Sequence, residues 1–154
     1  MRKILTSIFL ILALGACVPL AIFADGSSKN YNGYKKDFGT YVSNSNVNAF
    51  CLAPSLRYIL WEFEGYFGKK VVMNSGYRTP WYNSKIGGAR RSLHKKCMAA
   101  DFFIPGVSKA KLIAYAKRNR MIGGLGCYPG KKFIHIDVRD KPRGYKTAVE
   151  FSGC

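Results

Sequence analysis

The chain contains two histidines, His94 and His135, and an aspartate follows each at short range. His94 lies seven residues before Asp101 in Ser92-Leu93-His94-Lys95-Lys96-Cys97-Met98-Ala99-Ala100-Asp101, a spacing that lets a loop fold an imidazole back beside a carboxylate on a strand. His135 and Asp137 are two apart in Phe133-Ile134-His135-Ile136-Asp137, and strand residues two apart share one face of the sheet. Two imidazoles and one carboxylate suit a catalytic zinc, which keeps its fourth position open. The competing reading is a pair of surface histidines near acids, and spacing alone does not separate the two.

The elements that must carry these side chains follow from hydrophobic patterning. From Asn46 to Phe67 the apolar residues Val47, Phe50, Cys51, Leu56, Ile59, Leu60 and Phe63 recur at helical spacing, with Pro54 ending a first segment or restarting the helix. Val71-Val72-Met73 is expected as a strand entering a turn at Asn74-Ser75-Gly76, and Met98 to Ile104 as another, stopped by Pro105-Gly106. A helix is expected over Ser108 to Arg120, with Ser108 as N-cap and Leu112, Ile113 and Ala116 facing inward. Gly123-Gly124-Leu125-Gly126 breaks it, and Phe133 to Val138 alternates as a strand. Helix, strand, long loop, strand, helix, strand is the order of an α+β fold. Residues 25–45, rich in Gly, Ser, Asn and Tyr without helical period, are expected to be a linker or loosely docked N-terminal arm, which leaves 46–154 as the domain.

At 154 residues the chain fits one domain, and 48% hydrophobic with 21% charged residues disfavours disorder despite a formal charge of +17. Arg2 and Lys3 precede the apolar run Ile4 to Leu14, which resumes from Val18 to Ala24, so residues 1–24 are expected to be an export signal cleaved after Ala24. Leu14-Gly15-Ala16-Cys17 also looks like a lipobox that would make Cys17 a lipidated N-terminus, and residues 4–24 approach the length of an uncleaved anchor. Each route sends the remainder out of the cytosol. Removing residues 1–24 leaves 23 basic against 8 acidic residues, a formal +15. Cys51, Cys97, Cys127 and Cys154 remain, an even number with no Cys-x-x-Cys pair, so two disulfides are expected with three pairings open.

The flanking segments are more specific than any single pair. Ser75-Gly76-Tyr77-Arg78-Thr79-Pro80, Asn83, Gly87-Gly88, Ser92-Leu93-His94, Ala99-Ala100-Asp101, Gly123-Gly124-Leu125-Gly126 with Tyr128, and Phe133 to Asp137 occur in order. Together they resemble the zinc D-Ala-D-Ala carboxypeptidase and endopeptidase family acting on peptidoglycan, in its branch with a final His-x-Asp, over roughly residues 46 to 143. The resemblance implies a small antiparallel sheet flanked by helices, as in the Hedgehog signalling domain, and an exported zinc metallopeptidase that hydrolyses peptide bonds in peptidoglycan stem peptides or cross-links. By the same resemblance His94, Asp101 and His135 would hold Zn2+, which would polarise the scissile carbonyl and acidify water. Arg78 would grip a substrate carboxylate or the carbonyl oxygen, and Ser92 would orient substrate or a ligand.

Three positions depart from the family pattern. Where many relatives carry an acidic general base three residues before the last histidine, this chain has Lys132, and Asp137 is the nearest replacement, as base or as a partner orienting His135, the competing reading being a third ligand with His135 displaced. Cys97 stands where Gly is usual, and Tyr145 near where a Trp often follows Arg143. Lys132 gives weight to an alternative, a catalytically inactive zinc-fold module that binds cell-wall peptides. Tyr77, Tyr82 and Tyr128 are candidate cleft aromatics beside Arg78, with core packing the larger expectation for Trp81. The clusters Arg90-Arg91, Lys95-Lys96, Lys117-Arg118 with Arg120, and Lys131-Lys132 suit anionic cell-wall polymers or a membrane surface better than nucleic acid, which an exported protein rarely meets.

Overall fold

In a computed structural model, which describes residues 30–154, Pro54 opens the first helix rather than interrupting one. The expected signal segment 1–24, with its cleavage, lipidation and anchor readings, lies outside the described residues. Helix α1 spans Pro54–Phe67, with proline in its first turn, where the missing N–H costs nothing, and Gly68 ending it at φ +60°. Leu56, Ile59, Leu60 and Phe63 form its buried stripe. Residues 46–53, expected to be helical, are irregular apart from a bridge between Asn48 and Tyr77. A residue before proline is driven out of the helical region, and Ala53 sits at ψ 140°. The Arg57 guanidinium then holds this stretch by donating to the carbonyls of Ala49 and Phe50, and to that of Phe38.

Two further α-helices follow among the described residues. Helix α2, Pro80–Lys85, lies in what the sequence presented as a long loop, and Thr79 caps it by accepting from the Tyr82 N–H. Helix α3, Lys109–Arg118, has the expected cap, Ser108 accepting from the Lys111 N–H, with Leu112 and Ala116 buried and Ile113 partly so. A short 3-10 turn, Leu93–Lys96, carries His94.

The strands are β1 (Asn30–Tyr31), β2 (Tyr34–Asp37), β3 (Thr40–Val42), β4 (Val72–Ser75), β5 (Ala99–Phe103), β6 (Gly124–Gly126), β7 (Ile134–Asp137) and β8 (Val149–Phe151). They form one sheet in the order β1-β2-β3-β4-β5-β7-β6-β8. Pairing is antiparallel except at β3–β4 and β6–β8, so the antiparallel centre is extended on both sides through parallel joints. The stretch expected as a linker or loosely docked arm is instead partly built into this sheet. Tyr41 pairs with Val72 and Val42 with Met73, and both Tyr41 and Val42 are buried. No helix among the described residues is long and apolar enough to cross a membrane.

Alternation across the central strands separates core from chemistry. Ala100 and Phe102 of β5, with Ile134 and Ile136 of β7, join the buried apolar cluster with α1 and α3. Phe63 anchors that cluster, its ring centroid 4.9 Å from Phe102 and 4.6 Å from Tyr115. Asp101, His135 and Asp137 occupy the intervening positions and emerge on the opposite face.

Of the three open pairings, the cysteines adopt Cys51–Cys97 and Cys127–Cys154. The first closes a separation of 46 residues and ties the segment before α1 to the turn that carries His94. Replacing both Cys51 and Cys97 with serine is expected to cost about 4 kcal/mol, mainly by releasing the unfolded chain. Urea denaturation under oxidising conditions measures it, and a loss below about 1 kcal/mol would contradict this account.

Candidate metal centre and cleft

Strand register brings the two carboxylates and one histidine of the site together. Asp101 on β5 lies directly opposite His135 on β7, and Ala99 lies opposite Asp137. Strand β6 covers the other side of β7 with glycines, Gly126 opposite His135 and Gly124 opposite Asp137. A Cβ at Gly124 would run into the Asp137 carboxylate and the Arg139 Nε, so this position leaves the room their pairing needs. His94 arrives from the 3-10 turn, which Cys97 ends in the left-handed conformation at φ +61°. In this chain the Cys51 disulfide holds a residue with a Cβ in a conformation that glycine adopts without strain.

The proton positions on both imidazoles follow from their outer partners. His94 Nδ1 lies 2.6 Å from the Gly76 carbonyl oxygen, which only accepts, so Nδ1 carries the hydrogen and Nε2 presents a lone pair. His135 Nε2 lies 3.1 Å from the Asp137 Oδ2, so it donates there and leaves Nδ1 as the inner lone pair. His94 Nε2 is 3.2 Å from both the Asp101 Oδ1 and the His135 Nδ1, and that Nδ1 is 2.8 Å from the Asp101 Oδ1. Three electron-pair donors therefore converge, all buried, with no hydrogen left between them. Such a set is repulsive unless a cation or shared proton sits among its members. The donor chemistry, two nitrogens and one carboxylate oxygen, fits zinc.

The electrostatics agree. Burial alone would raise the Asp101 pKa, but in the metal-free site the hydrogen bonds and charge that His135 and His94 supply once they take up a proton hold it well below the usual carboxylate range. Burial disfavours the charged form of His135, yet Asp101 and Asp137 on its two sides outweigh that and raise its pKa. Asp137 is fully buried; burial pushes it up, while hydrogen bonds from His135 and Arg139 bring it down to about 2. Arg139 donates to it through Nε at 2.8 Å, through its backbone N–H at 3.1 Å and through Nη2. Burial raises the Tyr128 phenol, and the charge of Asp101 adds to it.

The donors open into a cleft of about 800 Å³. Arg78, Ser92, His94, Asp101, Tyr128 and His135 all line it. Arg78 is committed to an internal partner: Nη2 donates to the Asp101 Oδ2 at 2.5 Å and Nε to the Ser75 Oγ at 2.7 Å. Ser92 precedes the 3-10 turn, but its hydroxyl does not cap it.

These motifs, in this geometry, coincide with a family match: residues 32–137 fit the family described as Peptidase M15. The chain is a member of the Peptidase M15 family. It is similar to the peptidoglycan L,D-endopeptidase MepK of Escherichia coli K12, 36% identical over 92 residues that cover 55% of this chain and 50% of that protein. The probable peptidoglycan L,D-endopeptidase MepK of Haemophilus influenzae is 36% identical over 74 residues, covering 45% of this chain and 39% of that protein. This M15 chain thus spans about half the length of the curated relatives it matches, or less.

Other candidates fall elsewhere. Tyr77 and Tyr82 line a smaller, separate hollow with Asn44, Asn46 and Val47, because the Tyr77 N–H is drawn to the Asn48 carbonyl. Trp81 is neither core nor cleft: it is 70% exposed on α2, with the Lys85 Nζ 5.0 Å from its ring. Asp137 does not line the cleft and stands behind His135. Arg139 and Phe151 also line the cleft, although neither is among the residues expected there. Arg139 continues the two-residue alternation of His135 and Asp137, a signal present in the sequence. Phe151 had none, since β8 joins β6 across a long separation to place its ring 5.4 Å from His135.

Proposed function

We propose that this M15 chain is an exported, zinc-dependent peptidase that hydrolyses peptide bonds in peptidoglycan stem peptides or cross-links. The observation that carries the reading is the convergence of His94 Nε2, Asp101 Oδ1 and His135 Nδ1 at the floor of an open cleft. Zinc held there would supply Lewis-acid polarisation of a peptide carbonyl and a more acidic water. Arg78 fixes the second oxygen of Asp101, so the first is aimed at the metal position. Asp137 orients His135 through its Nε2–H, and Arg139 neutralises Asp137 in turn. Tyr128 supplies an aromatic wall and Ser92 a hydroxyl for the substrate backbone. Arg91 and Lys131 at the rim suit the carboxylates of cell-wall peptides and polymers.

The relatives' names favour endopeptidase over carboxypeptidase action. Two disulfides suit an oxidising compartment such as the periplasm or cell envelope. Zinc-loaded protein incubated with purified peptidoglycan is expected to release new muropeptides that disappear with chelator, and mass spectrometry of the products names the bond. One observation favours the inactive binding module. Among the described residues Asp101 is the single acidic one lining the cleft, while Lys132 is exposed outside it and Asp137 is engaged with Arg139. Bound zinc and bound muropeptide without product would decide for that module.

A further inference from the structure

The ammonium of Lys109 has an environment unlike that of a surface lysine. Its Nζ donates to three backbone carbonyls of one loop, those of Cys127 at 2.7 Å, Tyr128 at 2.9 Å and Lys131 at 2.9 Å. An ammonium has three hydrogens, and all three are used. Lys109 is also the first residue of α3, whose first turn holds no acidic group. A cation there opposes the helix dipole, so helix stability does not account for it.

The loop it grips is the wall of the cleft. Tyr128 to Lys131 form a turn with Pro129 in second place and Gly130 in third at φ +77°, closed by the Lys131 N–H donating to the Tyr128 carbonyl at 3.1 Å. Tyr128 itself sits at φ +41°, a left-handed conformation that an aromatic residue keeps only when its surroundings impose it. In that conformation its ring lies 5.8 Å from Phe133, 6.3 Å from Phe151 and 6.4 Å from His135, and it lines the cleft together with Lys131. The Cys127–Cys154 disulfide ties the start of the loop to the segment after β8, and Lys109 ties down the carbonyls from there to the loop's end.

We propose that Lys109 is a positioning residue: by clamping three carbonyls of the Cys127–Lys131 loop it fixes Tyr128 and Lys131 as the substrate-facing wall of the cleft. This rests on the peptidase reading of that cleft. None of His94, Asp101 and His135 lies on the loop, so the clamp governs substrate binding and leaves metal binding alone. Arginine is a poor replacement, because its planar fork cannot point three donors at carbonyls grouped around one atom.

The test uses the zinc-loaded full chain with Lys109→Met, Lys109→Arg and Lys109→Cys, the last before and after alkylation with 2-bromoethylamine, which restores an ammonium at nearly the lysine length. Lys109→Met is expected to raise KM for a cross-linked muropeptide by roughly ten- to a hundredfold. Its kcat should stay within about twofold, which separates loosened binding from lost chemistry. Zinc stoichiometry should be unchanged, hydrogen exchange at the Lys131 amide should accelerate, and alkylation of Lys109→Cys should reverse both the KM and the exchange change. An unaltered KM, a parallel loss of zinc, or a failure of alkylation to rescue would overturn the proposal. If the unsubstituted protein turns over nothing, the peptidase reading fails separately. Muropeptide affinity by calorimetry then replaces KM, with the same outcomes deciding the clamp.

Discussion

A His94→Ala protein is expected to retain its fold, bind no stoichiometric zinc and release no muropeptide above the chelated control. The reasoning starts from the lone pairs. His94 Nε2, His135 Nδ1 and Asp101 Oδ1 face one another without an intervening hydrogen, so removing one leaves a two-donor remnant that does not hold zinc against water. Substitutions of residues that merely orient ligands cost about ten- to a hundredfold in metal affinity or activity, so loss of a ligand should exceed about a hundredfold. The fold should survive because His94 lies on a short turn held independently by the Cys51–Cys97 disulfide and by the Ala53 N–H to Cys97 carbonyl bond. Zinc content by mass spectrometry and turnover on purified peptidoglycan measure the two effects. Wild-type hydrolysis by the zinc-free variant would refute the metallopeptidase mechanism.

Among single substitutions, the largest effect on stability is expected at Asp137. Its carboxylate is fully buried and accepts from His135 Nε2, from two nitrogens of the Arg139 side chain and from the Arg139 backbone. Asp137→Ala strips all of these at once, and breaking one side of a buried pair costs about 3–5 kcal/mol. Because the Arg139 side chain is 37% exposed and can turn to water, the lower part of that range applies. The double variant Asp137→Ala with Arg139→Met should recover part of the loss, since it leaves no stranded cation. The same substitution frees His135 to rotate and should weaken zinc binding by about ten- to a hundredfold. Urea unfolding of the metal-free proteins and chelator competition give the two numbers. Zinc affinity equal to that of the unsubstituted protein would remove Asp137 from the orienting role.

Much of this site was legible because its signals are local. The pairing of His94 with Asp101 and of His135 with Asp137, the Ser108 cap and the strand stop at Pro105-Gly106 are all set within a few residues, as are the alternations that put Ile134 and Ile136 inside and His135 and Asp137 outside. The less legible parts depend on distant partners. Tyr31, Tyr34 and Tyr41 among lysines, glycines and asparagines carry too little alternation to announce strands, and β3 is stabilised by its parallel neighbour Val72–Met73, some thirty residues on. Residues 46–53 had the right apolar spacing for a helix, but Pro54 and the reach of Arg57 decided otherwise.

The sequence by itself determined the two candidate His–Asp pairs, the α+β class and the staple count, because these follow from residue type, spacing, periodicity and parity. Only the tertiary structure decided which cysteines pair, that Arg78 is bound to Asp101, that Tyr77 faces another hollow, and that Asp137 stands behind His135. Those outcomes depend on strand register and on the side from which each loop returns, and no local pattern of side chains encodes either.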